Sequence, residues 1–141
     1  MNIIKKILSV EEIKIRLSPL FEDKELQIAF LFGSTASGRV RKQQSDIDLA
    51  FLFDKPIEIL DLTNKVIRLL HLDYVDVVDL RRASPLLKFS SVKNGKLLYE
   101  RSPGLFHEFF SFAFRRYVDT KKLRDAQAKV IRHFLEEREL V

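Results

Sequence analysis

The feature that most constrains this chain is a short apolar run that opens on two carboxylates: residues 46–53 read Asp-Ile-Asp-Leu-Ala-Phe-Leu-Phe. Such a run is a buried strand, and side chains alternate along a strand, so Asp46 and Asp48 point to one face. Two carboxylates side by side repel, and burying them is costly unless a cation compensates. A companion run, Leu26-Gln27-Ile28-Ala29-Phe30-Leu31-Phe32, reads as another buried strand and stops at Gly33. The stretch between them, 34–45, is polar, basic and glycine-containing, which makes it a loop.

The rest of the chain supplies elements to cover these strands. Ser9-Val10-Glu11-Glu12 has capping-box spacing, with Ile13, Leu17 and Leu20 following at helical intervals to a Pro19 near the helix end. Asp54-Lys55-Pro56 is expected to start a helix with Ile59, Leu62, Val66 and Leu69 on its apolar face. Residues 73–80 form a third strand. Ser84-Pro85 opens a helix that Asn94-Gly95 closes, and 96–100 reads as a strand at a sheet edge. From Ser102-Pro103 the chain is largely helical to its end. The order α-β-β-α-β-α-β-α implies an α/β or α+β fold with one small mixed sheet flanked by helices.

Composition narrows the chemistry. With 141 residues, one compact domain is expected, and with no cysteine neither a disulfide framework nor a thiolate metal site can form. Lys5, Lys6, Glu11 and Glu12 interrupt the N-terminal apolar run before it reaches signal-peptide length, and nothing approaches the roughly 18–20 apolar residues of a membrane span. A cytoplasmic address is the expectation. The net charge of +5 is spread through segments of mixed sign. Direct nucleic-acid binding is therefore not expected, and the basic residues of the tail read as a solvated helix face.

The candidate chemistry gathers around the loop. Gly33 permits close backbone approach to a phosphate, and Ser34 adds a hydroxyl and a backbone N–H. Arg39, Arg41 and Lys42 bring positive charge to the same loop. A phosphate cradle thus stands next to a carboxylate pair suited to Mg²⁺, an ion that takes oxygen ligands and shares them with substrate phosphates. Taken singly, Asp46 reads as a loop-to-strand cap and Asp48 as an exposed strand position; the combination points to function. A third carboxylate would come from the strand at 73–80, where Asp73, Asp76 and Asp79 all qualify. Asp76 shares a face with Val78 and Leu80, and a carboxylate among valines in a core strand needs something polar to meet it.

Leu31-Phe32-Gly33-Ser34, a polar loop, then Ser45-Asp46-Ile47-Asp48-Leu49 resembles the signature of the DNA polymerase beta-like nucleotidyltransferase superfamily, in particular its minimal branch, the MNT proteins. Val75-Asp76-Val77-Val78-Asp79-Leu80 is similar to the strand that bears the third carboxylate in that family, which favours Asp76. Two features depart from the pattern. Eleven residues separate Ser34 from Asp46, one more than in many minimal members, and Ser37 stands where many relatives carry a basic residue. The resemblance implies a single nucleotidyltransferase domain over 1–141, with a catalytic core at about 9–100 and a helical tail at about 103–139. It implies Asp46, Asp48 and Asp76 as catalytic residues holding two Mg²⁺ ions, with Gly33, Ser34, Ser45, Arg39 and Arg41 around the triphosphate.

Minimal members resemble the antitoxin half of HEPN–MNT toxin–antitoxin pairs, which implies ATP as donor and a tyrosine hydroxyl of a HEPN ribonuclease as acceptor. A second reading makes the chain a non-catalytic module that neutralises its partner by covering it. The tail bears on the partner independently. Phe106, Phe109, Phe110, Phe112 and Phe114 spread over an arc of roughly 200° at about 100° per residue, wider than a single buried stripe. Either a buried helix or a partner surface accounts for it, and a homodimer and a hetero-oligomer both stay open. Leu123, Ala126, Val130 and Phe134 read as core or interface packing.

Overall fold

The computed structural model describes residues 8–33 and 46–140. Among these residues, four strands make one mixed sheet: β1 (Leu26–Phe32), β2 (Ile47–Phe53), β3 (Val75–Asp79) and β4 (Lys96–Glu100). Their spatial order is β3-β2-β1-β4. β1 runs antiparallel to both β2 and β4, while β2 and β3 are parallel. The parallel pair needs a crossover, which α2 (Ile59–Leu70) supplies between them. The other α-helices among the described residues are α1 (Val10–Leu17), α3 (Pro85–Val92) and the long α4 (Leu105–Glu137). β4 occupies a sheet edge, as its sequence implied.

Strand alternation divides the core into two. Ala29 and Leu31 of β1 and Ile47, Leu49, Phe51 and Phe53 of β2 pack with Ile13 and Leu17 of α1 and Leu62, Val66 and Leu70 of α2. The opposite face carries Ile28, Phe30 and Ala50, covered by Val92 of α3 and by Phe106, Phe109, Phe110 and Ala113 of α4. Glu100 fixes the start of α4: its carboxylate accepts the backbone N–H groups of Gly104 at 3.3 Å and Phe106 at 2.9 Å, so an acid caps the positive helix end.

Three local expectations are corrected. The first helix does not run on to Leu20. It yields at Ser18 to a 3₁₀ turn, Ser18–Glu22, because Pro19 has no N–H to continue the ladder. The helix after β2 begins at Ile59, not at Asp54. Asp54 N–H is tied to Glu25 O at 2.7 Å, and the residue before a proline resists helical torsions. Ile59 is consequently exposed, and Leu62, Val66 and Leu70 make the buried line. Of the two readings of Leu123, Val130 and Phe134, core packing is excluded: α4 continues past the domain body and leaves them in solvent.

Candidate active site

The register of the sheet assembles the carboxylates. In the parallel pairing, Asp76 of β3 lies directly beside Asp48 of β2, and on the other side Asp48 stands opposite Phe32, the last residue of β1. Because Ala50 faces α4, Asp48 projects from that same face. Asp76 shares a strand face with Val78, which also packs there. Asp46 precedes β2 and is exposed, so strand alternation does not fix its direction.

Burial differs along the cluster. Asp48 is half-buried, while Asp76 is exposed. The expectation that Asp76 sits among valines in a closed core is therefore corrected: β3 is an edge strand, and water meets this carboxylate. The Asp48 carboxyl is pushed up to about 6, first by burial and then by the negative charges of Asp76 and Asp46. Of the other candidates for the third carboxylate, Asp79 accepts the backbone N–H of Arg81 at 3.1 Å and so caps the strand end.

Gly33 has a role that sequence alone did not reveal. Its φ is +76°, and a Cβ there would overlap Asp48 Oδ2. Only a residue without a side chain lets this carboxylate lie against the end of β1. That reason depends on the Phe32–Asp48 pairing, for which no local signal exists in the sequence. Ser34, Arg39, Arg41 and Ser45, together with Lys42, lie outside the described residues.

The donor set fits a hard divalent cation. Every side chain in it offers oxygen, and a cation would offset both the burial that raises the Asp48 carboxyl and the repulsion of Asp76 and Asp46 that adds to it. Among the described residues no group of three or more His, Cys, Asp or Glu is drawn together tightly enough to hold a metal by itself.

Comparison with known proteins bears on the same residues. The family described as polymerase beta, nucleotidyltransferase, matches residues 16–104. The chain is similar to the protein adenylyltransferase MntA of Aphanizomenon flos-aquae (strain 2012/KM1/D3), at 27% identity over 145 residues, 94% of this chain and 95% of that one. It resembles a crystal structure of a toxin–antitoxin with AMP-PNP, at a TM-score of 0.72 and 28% identity over 84% of this chain and 97% of that chain. A tri-AMPylated Shewanella oneidensis HEPN toxin in complex with MNT antitoxin also matches, at a TM-score of 0.69 and 26% identity, with 86% and 98% covered. The family match takes in all four strands, Gly33, Asp46, Asp48 and Asp76, and the chain therefore belongs to the polymerase beta nucleotidyltransferase family.

Proposed function

We propose that this nucleotidyltransferase is a protein adenylyltransferase antitoxin of the cytoplasm, which transfers AMP from ATP to a tyrosine hydroxyl of a HEPN-type ribonuclease toxin. The observation that carries the reading is the register that sets Asp76 beside Asp48, with Gly33 leaving room for the Asp48 carboxylate. Similarity to a protein adenylyltransferase, to a toxin–antitoxin with the ATP analogue AMP-PNP and to an MNT antitoxin bound to an AMPylated HEPN toxin supports the donor and the toxin partner; the tyrosine is part of the proposal.

Asp46, Asp48 and Asp76 would hold two Mg²⁺ ions, whose charge offsets that of the triphosphate and of the transition state. Gly33 and Ser34 take the β- and γ-phosphates, and Ser45, Arg39 and Arg41 add donors and positive charge. Asp76, exposed on the edge strand, takes the proton of the incoming hydroxyl. The acceptor oxygen then bonds to the α-phosphorus. The bond from that phosphorus to the bridging oxygen breaks, and pyrophosphate leaves with the electron pair. Positioning and charge neutralisation supply most of the rate.

The test is mass analysis of the HEPN-type protein from the same genome after incubation with this chain, ATP and Mg²⁺. Its mass should rise by one or more AMP units, and Asp48→Ala should abolish the gain. Neutralisation of the toxin with no AMP attached would instead mark the chain as a covering module.

A further inference from the structure

At the end of the sheet that holds the carboxylates, the Asn94-Gly95 turn is flanked by two lysines, Lys93 and Lys96. Both are exposed. Lys93 caps the C-terminus of α3, and Lys96 opens β4. Lys96 pairs with Leu31 of β1. Continued by two residues, that antiparallel register brings Gly95 level with Phe32 and Asn94 level with Gly33. The turn is pinned there. Lys93 N–H donates to Phe89 O and Gly95 N–H to Val92 O, each at 3.0 Å, and a Cβ on Gly95 would come within 2.9 Å of the Phe30 ring. Across this end of the sheet the order is Asp76, Asp48, Gly33 and then the lysine turn. The turn lies two strand spacings, about 10 Å, from the strand of Asp48. Charge is sorted along the same line. Between Asp79 and Glu100 the chain has five Lys or Arg and no Asp or Glu. Among the described residues neither Lys93 nor Lys96 pairs with a carboxylate. Lys96 shares the face of its partner Leu31, and α3 lies over the opposite face, so the two lysines bracket the end of β1.

We infer that Lys93 and Lys96 hold the terminal phosphates of the triphosphate and neutralise the pyrophosphate as it leaves. The direction follows from in-line displacement, in which the incoming hydroxyl and the departing oxygen lie on opposite sides of the α-phosphorus. Asp76 stands on the edge strand β3 and receives the hydroxyl. The pyrophosphate then departs away from β3, across Gly33 toward β4, where the lysines are. The acceptor proton goes to Asp76, the acceptor oxygen bonds to the α-phosphorus, and the electron pair of the broken bond stays on the pyrophosphate. Lysine suits that end of the reaction as a compact charge on a flexible stem, able to follow the phosphates as the bond lengthens. Its charge counts most once the departing oxygen carries the electron pair.

The inference rests on the proposed transfer, with Asp76 on the acceptor side, but it is tested by binding alone. The probes are pyrophosphate, AMP and a non-hydrolysable ATP analogue, each with Mg²⁺, titrated against the full chain. The variants are Lys93→Gln/Lys96→Gln, Lys93→Arg/Lys96→Arg and, as a remote control on α4, Lys122→Gln/Lys129→Gln. All should keep the wild-type melting temperature, since the four positions are exposed. The Gln pair at the turn should weaken pyrophosphate and the ATP analogue at least about tenfold and leave AMP unchanged. The Arg pair should restore most of that affinity, and the α4 pair should change nothing. In transfer assays the Gln pair at the turn should lower kcat as well as raise KM for ATP, because charge grows on the leaving group in the transition state. Unchanged affinity for every probe would reduce the lysines to a solvated turn. Equal losses for AMP and the ATP analogue would place them at the nucleoside, and equal losses from the α4 pair would make the effect one of overall charge. Each of these results overturns the inference. Pyrophosphate binding that depends on the turn, with no AMP transferred to the HEPN-type protein, would sustain the inference and overturn the proposed acceptor. Transfer with unaltered KM and kcat in the Gln pair at the turn would do the reverse.

Discussion

The two faces of the sheet are made from the same strands and serve opposite ends. Along β2, Ile47, Leu49, Phe51 and Phe53 are all buried against α1 and α2. The alternate residues run Asp48, Ala50, Leu52, and there the apolar cover of α3 and α4 does not reach the end of the strand. A one-residue step thus separates a closed face, built for stability, from a face that keeps a half-buried carboxylate beside a second one. The difference teaches where this small domain concentrates its order and where it tolerates repulsion.

The largest effect should come from breaking the closed face. Phe51 is fully buried, and Phe51→Ala should cost about 3–5 kcal/mol, read as a collapse of the denaturant midpoint. Asp76→Asn, one strand away but exposed on the other face, should leave that midpoint within about 0.5 kcal/mol while transfer falls steeply. If the two variants lose stability equally, the division between faces is wrong.

Ligand linkage sharpens the comparison next. ATP with Mg²⁺ should bind only through the open face, and at about 100 times its Kd it should stabilise the fold by about 2.7 kcal/mol. EDTA should remove the gain. An equal shift with and without metal would mean that Asp46, Asp48 and Asp76 hold no cation.

Gly33→Ala should show a smaller effect on the fold, about 1–2 kcal/mol for a side chain at positive φ. The new methyl also displaces the Asp48 carboxylate, so transfer should fall by more than the lost stability accounts for. Transfer that tracks the folded fraction would leave Gly33 a turn residue and nothing more.

Much of this arrangement was legible in the sequence, for identifiable reasons. Long apolar runs such as 26–32 and 47–53 mark buried strands whatever their partners, and Ser9 and Ser84 announced their helices, each side chain accepting the N–H three residues on. The choice of Asp76 over Asp79 came from family resemblance; the structure shows Asp76 beside Asp48, and Asp79 capping the strand end. What local reading missed depends on tertiary contact. The exposure of Asp76 follows from strand order, and the crowding of Gly33 against Asp48 follows from register. Periodicity made the Phe-rich arc wider than one buried stripe but did not say which rings are covered. Phe106, Phe109 and Phe110 pack on the sheet, while Phe112 and Phe114 remain about half exposed, because they lie about 100° to either side of the buried Ala113 on the helix, and Phe114 turns to Phe89 of α3.

The measurement that bears most directly on the open face is the pH dependence of stability of the metal-free protein and of Asp48→Asn, with transfer assayed on the same samples. The Asp48 carboxyl is raised to about 6 in the fold from an ordinary 3.8. The folded state therefore holds the proton more tightly, and stability is greatest below the unfolded value and declines as pH rises through the folded one. Asp48 is partly solvated, so the decline should be about 1 kcal/mol after screening. Asp48→Asn should flatten it, melt slightly above the wild type at neutral pH, and transfer no AMP. A variant that melts well below the wild type at neutral pH, or that still transfers AMP at the wild-type rate, would contradict the account: the carboxylate would then be a structural group, and the chemistry would lie elsewhere.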